Sequence, residues 1–365
     1  MKILYDYSAF VLQARGGVSR VLFEMARHVA KQPGVECRIF AGLHRNQYIR
    51  DASAADRKMI TGWYVPQKFG KQRLLNPINK LIFKVYAKRF DPDICHHTYF
   101  QTPPVPDHCK RVFTMHDMIH EIYPEMYKPD DPHPLMKKNA IKKCDGIVCI
   151  SENTKSDLAR CYDIQGVSVT VIHHGNSFDN VKVAEVIEDN KYLLYVGVRW
   201  IEYKNFNIVL DVLSQFKNVD LICFGGGEIT ATERNDFNAR GISGRVRHVS
   251  GSDEVLSGYY AHAEALIYPS LYEGFGLPPV EAMHFGCPVI SSSSPPMPEI
   301  LGNAALFFDP ADRAQLLYCI EEILDEDVRK KFIDAGYRKA SSYNWEHVAK
   351  EAVAFYSSLC DAYVS

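Results

Sequence analysis

The chain has 365 residues, more than one ordinary compact core holds, which points to two domains or one very large α/β domain. Apolar residues make up 47% and charged residues 24%, the balance of a soluble globular protein. A net charge of -2 excludes a general nucleic-acid binder, which would be strongly basic.

Ile3 to Tyr5 reads as a buried first strand directly after Met1-Lys2, so no signal peptide is expected ahead of it. A loop follows at Arg15-Gly16-Gly17. Val18, Leu22, Met25, Ala26 and Val29 then recur at helical spacing. Further strands are predicted at 35–40, 94–96, 112–115, 146–150 and 169–172, and Ser151 is placed to cap a helix starting at Glu152. The polar stretch 175–190 interrupts the pattern and reads as a linker. A second series follows, with strands at 192–198, 219–224, 246–249, 265–268, 288–291 and 305–308. Helices over 312–324, 327–340 and 345–359 close the chain. This alternation predicts an α/β protein of two Rossmann-like domains with parallel sheets facing across a central cleft, ligands sitting beyond the carboxyl ends of the strands. No apolar run is long enough to span a bilayer. Ten scattered cysteines without a Cys-x-x-Cys pair predict reduced core thiols in a cytoplasmic protein.

The most informative segment is Tyr268 to Met283. Glu273 and Glu281 have seven residues between them, including Gly274-Phe275-Gly276-Leu277. The glycines let backbone amides approach a ligand. Pro278 and Pro279 suit the start of a helix, which puts Glu281 in its first turn. A carboxylate there can accept from a ribose diol while the free helix N–H groups nearby favour a phosphate. Glu273, on the loop, can hold sugar hydroxyls. A second segment, Tyr195-Val-Gly-Val-Arg-Trp-Ile-Glu-Tyr-Lys-Asn-Phe, places Arg199 and Lys204 after a strand. A third, Thr114 to Glu121, places His116 and Asp117 past a strand end, facing the cleft, with His120 close enough to compete for the same role.

The segment from Tyr268 resembles the donor-binding signature of the family 4 retaining glycosyltransferases, and the resemblance extends along most of the chain. It implies the GT-B fold, with residues 1–175 as the acceptor-side domain and 176–344 as the nucleotide-sugar domain. The helix in 345–365 would pack back on the first. It implies that Arg199 and Lys204 stabilise the departing diphosphate, although Val198 stands where the family more often has arginine. It implies that Gly16 and Gly17 let backbone reach the donor phosphates, that Gly225, Phe275, Gly276 and Leu277 line the donor, and that His116 touches the transferred sugar. Transfer would retain configuration, the leaving phosphate helping to deprotonate the acceptor.

No cofactor and no metal are expected: the Asp-x-Asp letters of Asp91-Pro92-Asp93 precede a strand rather than follow one, and His173-His174-Gly175-Asn176 reads as a structural turn. The donor is a UDP- or GDP-sugar, with UDP and a glucose-like hexose favoured as the family's common pairing. The acceptor is a saccharide or lipid-linked saccharide. Residues 57–90 contain no Asp or Glu and nine basic residues, Arg57, Lys58, Lys68, Lys71, Arg73, Lys80, Lys84, Lys88 and Arg89, interleaved with Leu74, Leu75, Ile78, Leu81, Ile82, Val85 and Tyr86. Such a helix either lies on the anionic inner face of a membrane or packs on the sheet with a solvated basic face. The competing readings are a nucleotide-sugar hydrolase or 2-epimerase, and a non-catalytic nucleotide- or carbohydrate-binding protein.

Overall fold

The computed structural model describes residues 1–66, 72–178, 181–186, 188 and 190–361, with 72–74 by backbone alone. Two compact units emerge: Met1–Gly175 with Asn344–Ser365, and Asn176–Tyr343. In the first the order is β1 (Lys2–Tyr5), α1 (Ser8–Leu12), α2 (Gly17–Val29), β2 (Glu36–His44), α3 (Gln47–Arg50), β3 (Ile60–Tyr64), α4 (Gln72–Phe90), β4 (Ile94–His97), β5 (Lys110–Met115), α5 (Ile119–Ile122), α6 (His133–Ile141), β6 (Gly146–Cys149), α7 (Glu152–Cys161) and β7 (Ser168–Val171). In the second it is β8 (Lys191–Val196), α8 (Phe206–Leu213), β9 (Val219–Phe224), α9 (Ala231–Ala239), β10 (Val246–Val249), α10 (Asp253–His262), β11 (Ala265–Tyr268), α11 (Leu277–His284), β12 (Val289–Ser292), α12 (Met297–Leu301), β13 (Ala305–Phe308), α13 (Arg313–Leu324) and α14 (Glu326–Ala340). The final helix α15 (Trp345–Asp361) belongs to the first unit.

Both sheets are parallel, as strands that read as continuous apolar runs require, since helices cover both faces. The first has the order β3-β2-β1-β4-β5-β6-β7, the second β10-β9-β8-β11-β12-β13. Each reverses direction once, between β1 and β4 and between β8 and β11. The carboxyl ends of those four strands are where such sheets hold ligands.

β3 escapes the sequence pattern. It is an edge strand paired only to β2, and Trp63 and Tyr64 are exposed, so no apolar run or alternation announces it. It joins β2 at a bulge where Gly42 has φ +61, and Asn79 of α4 donates to and accepts from the Leu43 backbone there, filling the broken ladder. Phe83 and Ala87 pack inward with Phe40, Leu4 and Tyr7. The other side of α4 exposes Leu81 (69%), Val85 (66%), Ile78 and Ile82. Lys68 and Lys71 lie outside the described residues, as do the side chains of Arg73 and Leu74. Among the described residues no helix is long and apolar enough to cross a membrane.

α15 lies against α2: the Trp345 ring stacks with His28, Leu359 and Phe355 press on Gly146, and the Tyr356 hydroxyl meets Tyr5 and His96. The stretch expected as a linker packs on the second unit, where Phe178 is fully buried against Phe285 and Tyr260. Of that stretch, 179, 180, 187 and 189 lie outside the described residues, as do 362–365 of the last segment.

Candidate functional site

In the second unit, the loop after β8 and the loop after β11 meet at the sheet's reversal. Lys204 Nζ lies 2.5 Å from Glu273 Oε1, both side chains largely buried at 18% and 14% exposure. The ammonium also stands over the Tyr203 and Tyr268 rings. Burial, and after it the adjacent Glu273 carboxylate, push the Tyr268 phenol well above its ordinary range, so it stays a neutral donor. A cation and a carboxylate are thus fixed side by side before any ligand arrives.

Glu281 is buried, and its Oε2 accepts from the Tyr260 hydroxyl at 3.0 Å. It falls in the second turn of α11, not the first as the proline pair implied: the helix begins at Leu277 and has no acidic residue in its first turn. Gly276 precedes it with φ +94, a conformation that favours glycine, and a Cβ there would lie 2.7 Å from Met297 Cε. Leu277 opens the helix, half-buried. Phe275 is a packing residue by its side chain, buried edge-on to Tyr343 at 5.5 Å.

Arg199 is placed otherwise than as a free cation for a diphosphate. Its guanidinium is 1% exposed, pairs with Glu233 at 2.7 Å, and donates to the carbonyls of Gly225, Gly227 and Glu228. Glu233 is itself half of a capping box with Thr230 at the start of α9. Gly225, Gly226 and Gly227 have φ of +73, +69 and +82, and a Cβ on Gly226 would sit 2.2 Å from the Gly197 carbonyl. Arg199 therefore staples a left-handed glycine turn beside the β8 loop. The displacement by Val198 is the sequence signal for this difference. A cavity of about 890 Å³ is lined by Arg199 and Glu233 themselves with Trp200, Glu202, Thr230 and Asp236, and none of Lys204, Glu273 or Glu281 lines it.

In the first unit, Gly16 caps α2 and Gly17 begins it. Gln13 Oε1 accepts from the Ser19 amide at 3.0 Å, a neutral oxygen placed where the helix N-terminus would favour an anion. His116 follows β5, is buried, and has an Nε2 with no hydrogen-bond partner. Burial lowers it to about 4, so the imidazole is neutral at neutral pH. Its neighbour Asp117 turns away, accepting from the Ile119 amide at 3.2 Å and standing 3.6 Å from Lys137. At the reversal of this sheet Asp6 is wholly buried, accepting from His97 Nδ1, Thr98 Oγ1 and the Ser8 amide, a knot that no local pattern announces. Asp93 accepts from the Lys2 amide at 2.7 Å ahead of β4, at the opposite edge from these groups. Asn176 Oδ1 accepts from the Phe178 amide and its N–H donates to the Tyr343 carbonyl, so the chain bends at Ser177, just past the His173 to Asn176 stretch expected as a turn.

The chain matches two family models in succession, "Glycosyltransferase Family 4" over residues 15–177 and "Glycosyl transferases group 1" over 177–339. It is 29% identical over 241 residues to the O-antigen chain mannosyltransferase RfbU of Salmonella typhimurium, covering 62% of this chain and 63% of that one. It is 40% identical over 122 residues to the MMP alpha-(1->4)-mannosyltransferase of Mycolicibacterium hassiacum, covering 32% and 30%. The matched stretches thus span less than two thirds of these relatives. Among solved structures, sucrose-phosphate synthase from Thermosynechococcus elongatus superimposes with a TM-score of 0.78 at 20% identity, over 99% of this chain and all of that one, which shows the fold. The chain belongs to glycosyltransferase family 4 and has its GT-B fold.

Proposed function

We propose that the protein is a retaining hexosyltransferase that takes the sugar of a UDP- or GDP-sugar to a saccharide or lipid-linked saccharide, with no metal at the diphosphate. The observation that carries this reading is the Lys204–Glu273 pair beside the buried Glu281 at the reversal of the second sheet. Glu281 accepts from the ribose diol, Lys204 faces the β-phosphate as negative charge grows on it, and Glu273 holds sugar hydroxyls. In the first unit, the backbone amides at Gly16 and Gly17 suit an anion, and the neutral His116 suits a sugar hydroxyl rather than a charge. Its depressed basicity makes it a poor general base, which favours deprotonation of the acceptor by the leaving phosphate. Arg199 acts through the glycine turn it holds. The relatives' names favour mannose as the hexose over glucose.

The outer face of α4, with Leu81 and Val85 exposed between Lys80, Lys84, Lys88 and Arg89, suits peripheral contact with an anionic membrane and hence a lipid-linked acceptor. Co-sedimentation with anionic but not neutral vesicles, lost in Leu81→Glu with Val85→Glu, supports that contact; equal recovery in all three rejects it. For the reaction, incubation with nucleotide-sugars and mixed saccharide acceptors, followed by NMR of the anomeric proton, should give an acceptor-dependent product with the donor's configuration. Turnover at the same rate without acceptor would establish the hydrolase or epimerase reading instead.

A further inference from the structure

Among the described residues one group combines side chains able to ligate a metal ion, and it lies outside the machinery above. His120 sits on α5, His133 opens α6, and Asp131 lies in the turn between, their ligand atoms all within 4.8 Å of one another. The Asp131 carboxylate stands between the two imidazoles: Oδ1 is 2.6 Å from His133 Nδ1, and Oδ2 is 3.6 Å from His120 Nε2. The rings stack with centroids 4.4 Å apart at 18°. Side-chain exposures of 16%, 14% and 34% leave the cluster reachable from one side.

Two atoms here are buried without a hydrogen-bond partner, Asp131 Oδ2 and His120 Nδ1. A buried carboxylate oxygen left without a donor is unfavourable. Nothing holds the His120 tautomer, so Nε2 is able to present its lone pair to the carboxylate side. Ligand atoms about 2.0–2.2 Å from a tetrahedral ion stand about 3.3 Å from one another. The His120–Asp131 separation is near that figure, and His133 has only to exchange its hydrogen bond for a metal bond. Lys137, the nearby cation, is already engaged by Glu121 Oε2 at 2.8 Å and the Asp117 carbonyl.

We propose that His120, Asp131 and His133 bind one divalent transition-metal ion of the zinc class, which fastens the 127–133 turn onto α5. Two imidazoles and one carboxylate select zinc, cobalt or nickel over magnesium and calcium, which prefer oxygen alone. Because α5 begins three residues after His116, the ion braces the segment that carries that residue. The cluster belongs to the first unit, whereas Lys204, Glu273 and Glu281 belong to the second.

The test is titration of the chelator-stripped, full-length protein with Co2+, read by its visible d–d absorption, followed by displacement with Zn2+. One equivalent should bind with a nitrogen/oxygen spectrum free of the near-ultraviolet thiolate band. Asp131→Asn and His133→Gln should each weaken binding at least about tenfold while melting like the stripped wild type. His133→Gln alters a partly exposed side chain, so it keeps the test intact if Asp131→Asn fails to fold. Absence of saturable absorption, a thiolate band, or affinity unchanged in the variants would overturn the proposal.

Discussion

Both units bury an ion pair, Lys137 with Glu121 in the first, but they differ in the groups that surround their candidate site residues. The first buries imidazoles: burial lowers His44 to about 4, His96 to about 3 and His116 to about 4, and takes His174 well below its ordinary value, so all four are neutral at neutral pH. The second buries charges in pairs, Arg199 with Glu233 and Lys204 with Glu273, and sets Glu281 against a phenol. Neutral donors and acceptors suit hydroxyls; fixed charges suit a diphosphate. On the function proposed above, the lowered imidazoles suit sugar recognition in the first unit and the Lys204–Glu273 pair suits nucleotide recognition in the second.

Within the second unit the two ion pairs should separate in kcat. Arg199→Ala strands Glu233 and three carbonyls, and breaking a buried pair of this kind costs about 3–5 kcal/mol. Thermal unfolding should show that loss, and a melting temperature equal to wild type would mean that the glycine turn does not depend on the staple. Lys204→Ala also leaves a largely buried carboxylate, Glu273, without its cation and should lose stability, but in addition its kcat should fall about 10²–10³-fold, as for loss of one preorganised transition-state contact. A fall in stability with kcat preserved would make Lys204 structural.

The first unit should show the acid response. An unfolded chain takes up protons on its histidines near pH 6.5, whereas the buried imidazoles stay neutral down to about 4 for His44 and His116 and about 3 for His96. In that window the unfolded state binds more protons, so stability falls as pH drops and levels off above it. The melting temperature should therefore decline from pH 7 to pH 5, and less steeply in His116→Gln; parallel slopes would show that His116 already titrates in the fold. The smallest expected effect is Tyr260→Phe, which removes one hydrogen bond to Glu281 and should weaken nucleotide binding about fivefold, read by calorimetry.

What the sequence displays follows from which forces are local. Parallel strands buried on both faces are apolar runs, so 219–224 and 265–268 can be read directly, whereas β3 cannot, since its signal is pairing to one neighbour at a bulge. Glu273, Glu281 and Lys204 stand out by spacing and by resemblance. Their partners do not: Tyr260, Glu233 and Gln13 acquire meaning only when the fold brings them together, 34 residues separating Arg199 from Glu233. Arg199 shows the limit of residue type as a guide, since an arginine at a glycine turn serves a phosphate or a carbonyl cluster equally well. The prolines of α11 locate its start, yet Glu281 lies one turn further than they imply.

The central claim, that the second unit holds a nucleotide through Glu281, is tested most directly by calorimetry with UDP, GDP and ADP on the wild type and Glu281→Gln. The account predicts saturable binding of one nucleotide over the other two, weakened about 10–100-fold in the variant, as for a hydrogen bond to a charged acceptor. Binding of equal strength in both proteins, or of none of the three nucleotides to the wild type, would contradict it.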